Sequence, residues 1–538
     1  MKRWAETRRL NKLGRLADVP ARTGWAQQAN RDAARLGQAV QLSDDGITAR
    51  RSGDLDRSAV LLEQALEIWM EVAPTSSGTA SVLREMATVD QARGDVDGQI
   101  RHLERAVEIY NDVDPRSAGT ATTLETTAAA HRAGGDLNLA LSYLQRALDI
   151  WNEIDPGSTR VARDLTNIGQ VHLKRKEADQ ALVFLERALA VAGQARVGAL
   201  EASPAFSEAW AVEEESLQAI GAIQLSRGDL DRALLCLERA LGMCRSSAPK
   251  SRQAAELTYL IGHIHLQRGE LRLAEPAFNE SMHLALPAVA GRKTWAEQLD
   301  ANALSGIGTV HLERGHLGAA LECFERAQRT CRLVTKNRAG EVAALGGIGH
   351  VHLRRGDLEA ALTCFEGCLA IKQATRPRSN GHAVALNNVG YVHKARGQLD
   401  RAMSYFDQAQ DILNELPGVS QAASRVSSNI GSTWLALGNL DLALTYCQRG
   451  VEVAKARAPR STETANAMSE LGLVHLARGD AVGALALFEQ ALRIADAVAS
   501  RSTQAVKALN GMAAAHKALG QPDKAETYNR RADGIEGV

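Results

Sequence analysis

A glycine returns along this chain at a nearly constant interval, and that interval limits the fold more than any other feature. Gly53, Gly94, Gly135, Gly228, Gly269, Gly315, Gly356, Gly397, Gly438, Gly479 and Gly520 share one local context, and Lys176 holds the same place in a twelfth copy. Of the eleven spacings, nine are 41 residues, one is 52 and one is 46. The unit is plainest in Ala343–Ile371, where two short amphipathic stretches flank Arg355-Gly356-Asp357. A fixed period of this length marks one supersecondary unit stacked on itself, with neighbours burying a continuous core. The 538 residues therefore read as one array rather than as several globular domains.

Each copy predicts two helices. The residue seven before the turn is Gly or Ala in all twelve copies. Glycine inside a helix costs about 1 kcal/mol relative to alanine, so its repeated use there asks for close helix–helix approach. After the turn, the fifth residue is Ala in ten copies, the ninth is Leu or Phe in ten, and the twelfth is small in all twelve. Those offsets trace one helical face, small, large, small, which lets one bulky side chain lock between neighbours. Six copies close with Pro-x-Ser, at Pro74, Pro115, Pro156, Pro249, Pro377 and Pro459. Proline cannot continue the outgoing helix, and the serine two residues on is placed to N-cap the next one. The fold class is all-α.

The array spans 23–532, with insertions near 191–212 and 286–300 that are expected as loops. Phe206, Trp210 and Trp295 in the insertions read either as exposed anchors or as side chains packed on the adjacent helix pair. Residues 1–22 form a basic extension or cap, for which an Arg-rich targeting peptide is the alternative, and 533–538 form a tail. Lys+Arg and Asp+Glu both number 63, so no overall field favours nucleic acid or an anionic membrane. No apolar run reaches the ~18–20 residues of a membrane span. Seven cysteines without a spaced framework point to a reducing, cytoplasmic setting.

The two helices, the Gly-Asp-Leu turn, the small Gly349, Ala361 and Cys368 and the bulky Phe365 resemble the tetratricopeptide repeat (TPR). The 41-residue period is similar to the longer repeats of kinesin light chains, nearest at Ala385-Leu386-Asn387-Asn388-Val389-Gly390. The heptad segment by which those proteins join their motor has no counterpart here, so the resemblance implies the architecture and not the motor role. It implies a right-handed superhelix of about twelve helix-turn-helix repeats, acting as a scaffold or adaptor. A partner's extended peptide or helix would lie in the concave groove that the first helices line. The alternative is a sensor array that binds a peptide signal and controls a separate effector.

By that resemblance, the residues ten, nine, six, three and two before each turn face the groove. The richest set is Asn387, Asn388, Tyr391 and Lys394, with Arg354, His350 and Asn429 in neighbouring copies. Arg84, Asn167, Tyr259, Asn510 and Lys517 hold such places elsewhere. Asparagine can bond both groups of a peptide backbone, and Lys or Arg can pair a carboxylate. Protein or peptide is thus the expected partner, with no nucleic acid, membrane or cofactor; self-association is left open.

The most tempting chemistry is a histidine four before the turn in eight copies, from His131 to His516. Equivalent residues in stacked repeats sit about 10 Å apart, whereas a shared metal needs donors within ~2.0–2.1 Å of one ion. These histidines are therefore expected to pack, His352 among them, while His350 faces the groove. Cys364 and Cys368 read as buried small residues. No catalytic motif is present, and an enzyme is not expected.

Overall fold

The computed structural model describes residues 23–536 except 201–202, 228, 291–293, 335–336, 417–420, 458 and 500–502. The N-terminal extension 1–22 and the turn glycine Gly228 lie outside the described residues. Among the described residues there are twenty-four α-helices, of which eleven successive pairs pack against each other within a repeat, and the chain groups into two compact units, Met1–Ala219 and Ile220–Val538.

In the first unit the pairs are α1 (Thr23–Arg51) with α2 (Leu55–Val72), α3 (Ser77–Arg93) with α4 (Val96–Val113), α5 (Ala118–Gly134) with α6 (Leu137–Ile154), and α7 (Thr159–Lys174) with α8 (Ala178–Gly198). Helix α9 (Pro204–Arg227) precedes α10 (Leu230–Ser247). The second unit continues with α11 (Arg252–Arg268), α12 (Leu271–Ala290), α13 (Thr294–Glu313), α14 (Leu317–Arg329), α15 (Arg338–Arg354) and α16 (Leu358–Thr375). It ends with α17 (Asn380–Ala395), α18 (Leu399–Glu415), α19 (Gln421–Ala436), α20 (Leu440–Arg457), α21 (Thr462–Ala477), α22 (Ala481–Ala499), α23 (Thr503–Ala518) and α24 (Pro522–Glu536). Odd-numbered helices are the first of each repeat.

The turn works because its third element is left-handed. Ten turn glycines have φ between +73° and +91°, where a Cβ would be strained, and Lys176 is held there too at +64°. The next residue starts the second helix: the carboxylates of Asp54, Asp95, Asp136, Asp229 and Asp357 each accept the backbone N–H three residues on. Glu177 and Gln398 make no such cap. Their longer side chains reach back instead to His172 and His393 Nδ1, both at 2.7 Å. All six Pro-x-Ser serines cap as their spacing predicts: Ser76, Ser117, Ser158, Ser251, Ser379 and Ser461 accept from the N–H three residues later.

The core is a column of bulky side chains seated on glycine. A Cβ on Gly349 would lie 2.7 Å from the Phe365 ring, on Gly390 2.8 Å from Phe406, and on Gly472 2.7 Å from Phe488. Every phenylalanine at this place faces a glycine; alanine appears only opposite leucine (Ala87 with Leu103, Ala128 with Leu144) or Asn529. Phe278, Phe324 and Phe488 also meet a second glycine from the following repeat, Gly306, Gly347 and Gly511, at 2.3–2.6 Å from a built Cβ. All five phenylalanines are essentially inaccessible, each a burial of roughly 1.5–3 kcal/mol.

The structure corrects two boundaries. The insertions are mainly helix, not loop: the first lengthens α8 to Gly198 and starts α9 at Pro204, and the second lengthens α12 to Ala290 and starts α13 at Thr294. Ala- and Glu-rich sequence extends a helix at little cost, so extra residues join the flanking helices. The aromatics there pack: Arg196 lies over Trp210 at 5.7 Å, Phe206 tilts against Trp210 at 5.6 Å, and Arg252 covers Trp295 at 5.2 Å. The tail expected from 533 is instead helical through Glu536, within α24.

Candidate peptide-binding groove

Within the second unit, the first helices and a few turn and second-helix residues enclose a cavity of about 740 Å³. Its wall has a register. The repeat ending at Gly315 contributes Ser305, Gly306, Thr309, Leu312 and Glu313; that ending at Gly356 contributes Gly346, Gly347, His350, Leu353 and Arg354. These are the places ten, nine, six, three and two before the turn. From the Gly269 repeat come Tyr259, His263, Leu266 and Gln267. A further column thirteen before the turn adds Asn302, Ala343, Val384, Arg425 and Asn466. That column is one helical turn beyond the ten-before place, so the 3.6-residue period could have found it.

The charges on this wall are unevenly matched. Arg425 Nε and Glu313 Oε2 are buried atoms without a hydrogen-bond partner. Burial lowers the Arg354 guanidinium and raises the Glu313 carboxyl, and each feels the other without forming a salt bridge. His350 lies edge-on to Phe365, 5.0 Å between ring centroids. Burial first, then the cations Arg425 and Arg354, push its imidazole down to about 4, so it is neutral at physiological pH. Burial likewise lowers His263 and raises the Tyr259 phenol. The wall thus offers the guanidiniums of Arg354 and Arg425, the ammonium of Lys372, the carboxyls of Glu313 and Glu463, and neutral donors and acceptors.

The set expected to be richest is placed differently from the open wall. Asn388 lines the cavity, but Asn387 is buried and its Oδ1 accepts from Asn429 Nδ2 of the next first helix at 2.8 Å. Lys394 Nζ donates to Ser432 Oγ. Burial lowers the Lys394 ammonium, while Glu470 opposes that. Tyr391 stands out in solvent. Elsewhere Arg84 and Asn167 are half-buried on α3 and α7, and Asn510 and Lys517 are exposed on α23. What the sequence reading did not single out are Glu313 and Arg425.

The histidine ladder packs wherever an aromatic stands twelve residues later. His131, His172, His393 and His516 stack on Tyr143, Phe184, Tyr405 and Tyr528 with centroids 5.3–5.4 Å apart. Where no aromatic follows, His352 and His475 stay partly open, paired to Asp357 and Asp480. No group of three or more His, Cys, Asp or Glu is arranged for a metal among the described residues. Burial drives the Cys368 and Cys447 thiols up to about 12, which leaves them unreactive. Among the described residues no helix is long and apolar enough to cross a membrane.

Comparison with known proteins agrees with this architecture. The family profile described as tetratricopeptide repeat matches residues 78–153, 119–194, 340–415 and 422–497, together half of the chain. No curated protein sequence matches. Among solved structures, the chain is similar to BtubC (BKLC) from P. vanneervenii at 20% identity over 42% of this chain and 91% of that one, with a TM-score of 0.34. It is similar to the APC/C hetero-tetramer Cut9–Hcn1 at 13% identity over 93% and 94%, TM-score 0.42. It is also similar to a Podosopora anserina putative kinesin light chain with nearly identical TPR-like repeats, at 15% over 40% and 98%, TM-score 0.34. With the family matched in four windows and the paired helices, left-handed turn glycines and seated bulky residues recurring in register, the chain belongs to the tetratricopeptide repeat family.

Proposed function

We propose that this TPR protein is an interaction scaffold whose second unit holds an extended segment of a partner protein in the groove walled by α11 to α21. One observation supports the reading: polar groups converge on a cavity of about 740 Å³, and two of them, Arg425 Nε and Glu313 Oε2, have no hydrogen-bond partner among the described residues. A buried polar atom without a partner costs about 1–3 kcal/mol, and an incoming peptide supplies backbone N–H and C=O groups to meet it. The leucines three before each turn, Leu266, Leu312 and Leu353, give the same wall apolar area for side chains.

The test is to fill the groove without touching the core. Gly346 lines the cavity, and a Cβ there would have only Cys368 Sγ near it, at 3.9 Å. Gly346→Trp should leave the melting profile close to wild type and abolish selection of peptides from a displayed random library. Equal enrichment of the same peptides by both proteins would show that recognition lies elsewhere.

A further inference from the structure

Three features single out one stretch of the groove. Glu313 and Arg354 hold the same place, two before the turn, in consecutive repeats, where the next four repeats all carry alanine (Ala395, Ala436, Ala477, Ala518). Arg425 reaches the same cavity from α19. Neither guanidinium forms an ion pair among the described residues, and the carboxyl that acts on Arg354, Glu313, is itself left with a buried oxygen unsatisfied. Glu313, Arg354 and Arg425 thus bring opposite charges to one wall without an ion pair among them.

We propose that the groove's occupant is a protein segment bearing both a basic and an acidic side chain, the base held by Glu313 and the acid by Arg354 and Arg425. The inference rests on the groove reading above and adds what the groove selects. Two guanidiniums can grip one carboxylate by parallel N–H···O bonds, and a carboxylate in a recessed wall is met by Lys or Arg. His350, uncharged between the arginines, adds a neutral bond to the segment's backbone rather than a further cation. The carboxyl of Glu313 in the wall repels a polyphosphate backbone, so nucleic acid is disfavoured in favour of peptide. The charges also set a direction: the base lies toward the Gly315 repeat and the acid toward the Gly356 and Gly438 repeats. Neighbouring first helices lie ~10 Å apart, and an extended peptide advances ~3.3 Å per residue. Base and acid are therefore separated by about three residues or more.

The experiment uses the full chain and an array of synthetic dodecapeptides on a neutral Ser/Ala/Leu host. One arginine and one glutamate are set two to eight residues apart in both orders, beside Arg-only and Glu-only peptides. Wild type should prefer one order of the mixed-charge peptides by about tenfold over either single-charge set. Glu313→Arg should move the preference to Glu-only peptides, and Arg425→Glu should move it to Arg-only peptides. Glu313→Gln and Arg425→Gln, which keep size and remove charge, should each erase one preference while thermal melts confirm folding. If Glu-only peptides bind wild type as well as mixed ones, or charge reversal leaves the ranking unchanged, the proposal is overturned and the groove stands. If no peptide binding is sensitive to Gly346→Trp, the groove reading itself fails.

Discussion

In the first unit, Arg132 of α5 donates to Gln170 of α7 at 2.9 Å, Gln170 donates to Glu215 of α9, and Arg50 of α1 pairs with Glu85 of α3 at 3.3 Å. Successive first helices are thereby tied by side chains along their shared face. Late in the second unit the ties return: Lys394 to Ser432, Asn429 to Asn387, and Lys507 to both Asn466 at 2.9 Å and Glu470 at 2.6 Å. Between Gly269 and Gly356 the wall is open. Part of the change is readable three before the turn, where Arg50, Gln91 and Arg132 give way to leucine from Leu173 to Leu353 and polar residues return only at Lys394 and Lys517. Arg50, Arg132 and Lys394 each bridge from this place to the next repeat, whereas the leucines along the groove cannot.

Being unpaired does not by itself mean being available. Asp164 of α7 is fully buried, and neither carboxylate oxygen has a hydrogen-bond partner. Burial, with a further push from Glu125 and partial relief from Arg160 and Arg163, raises its carboxyl to about 8. At the equivalent place other repeats hold Thr123, Ser216, Ala303 or Ala344. Its folded pKa is raised above the ordinary value of 3.8. The penalty is therefore absent below about pH 4, grows as pH rises, and is full above about 8. Asp164→Asn should match wild type near pH 4 and exceed it by a few kcal/mol, as an order of magnitude, at pH 8.5. Denaturant midpoints across that range measure it, and parallel pH profiles for the two proteins would remove Asp164 as the cause.

The paired stretch makes the opposite prediction. Burial works against the Glu470 carboxylate, but Lys507 and Lys394 together hold it below its ordinary range. Its contribution is thus present above about pH 4.5 and lost as pH falls. Lys507→Met should cost about 1–3 kcal/mol at pH 7, and the cost should shrink below about pH 4 as the carboxyl protonates. A pH-independent cost would assign the effect to packing instead of charge.

The smallest effects, and the sharpest contrast, come from two adjacent glycines in α15. A Cβ on Gly347 would lie 2.3 Å from the Phe324 ring, which also rests on Gly308. Gly347→Ala should destabilise by about 1–3 kcal/mol through overpacking. Gly346→Ala faces the groove and should stabilise by up to about 1 kcal/mol through helix propensity. Urea unfolding followed by circular dichroism reads both; the same sign for the pair would mean that the phenylalanine shifts freely.

Local rules made much of this molecule legible. The left-handed turns, the six serine caps and the small-large-small face follow from backbone sterics and helical period, which act within one repeat and need no knowledge of the neighbours. Even the substitution of Lys176 for glycine left the register intact. The course of the insertions is not legible, because length alone does not say whether extra residues loop out or extend a helix. Residue type marks Asn387 and Lys394 as groove candidates, yet Asn429 and Ser432 of the next repeat already bond to them.

The sequence by itself determined the array: the period, the two helices per copy, the glycine under each phenylalanine and the family. Only the tertiary structure decided which polar groups are spent between repeats and which remain open to the groove. The physical reason is that pairing of this kind joins residues roughly one period apart, as Lys394 and Ser432 are. Whether such a pair closes depends on how far and at what angle successive helices stack, which no single repeat encodes.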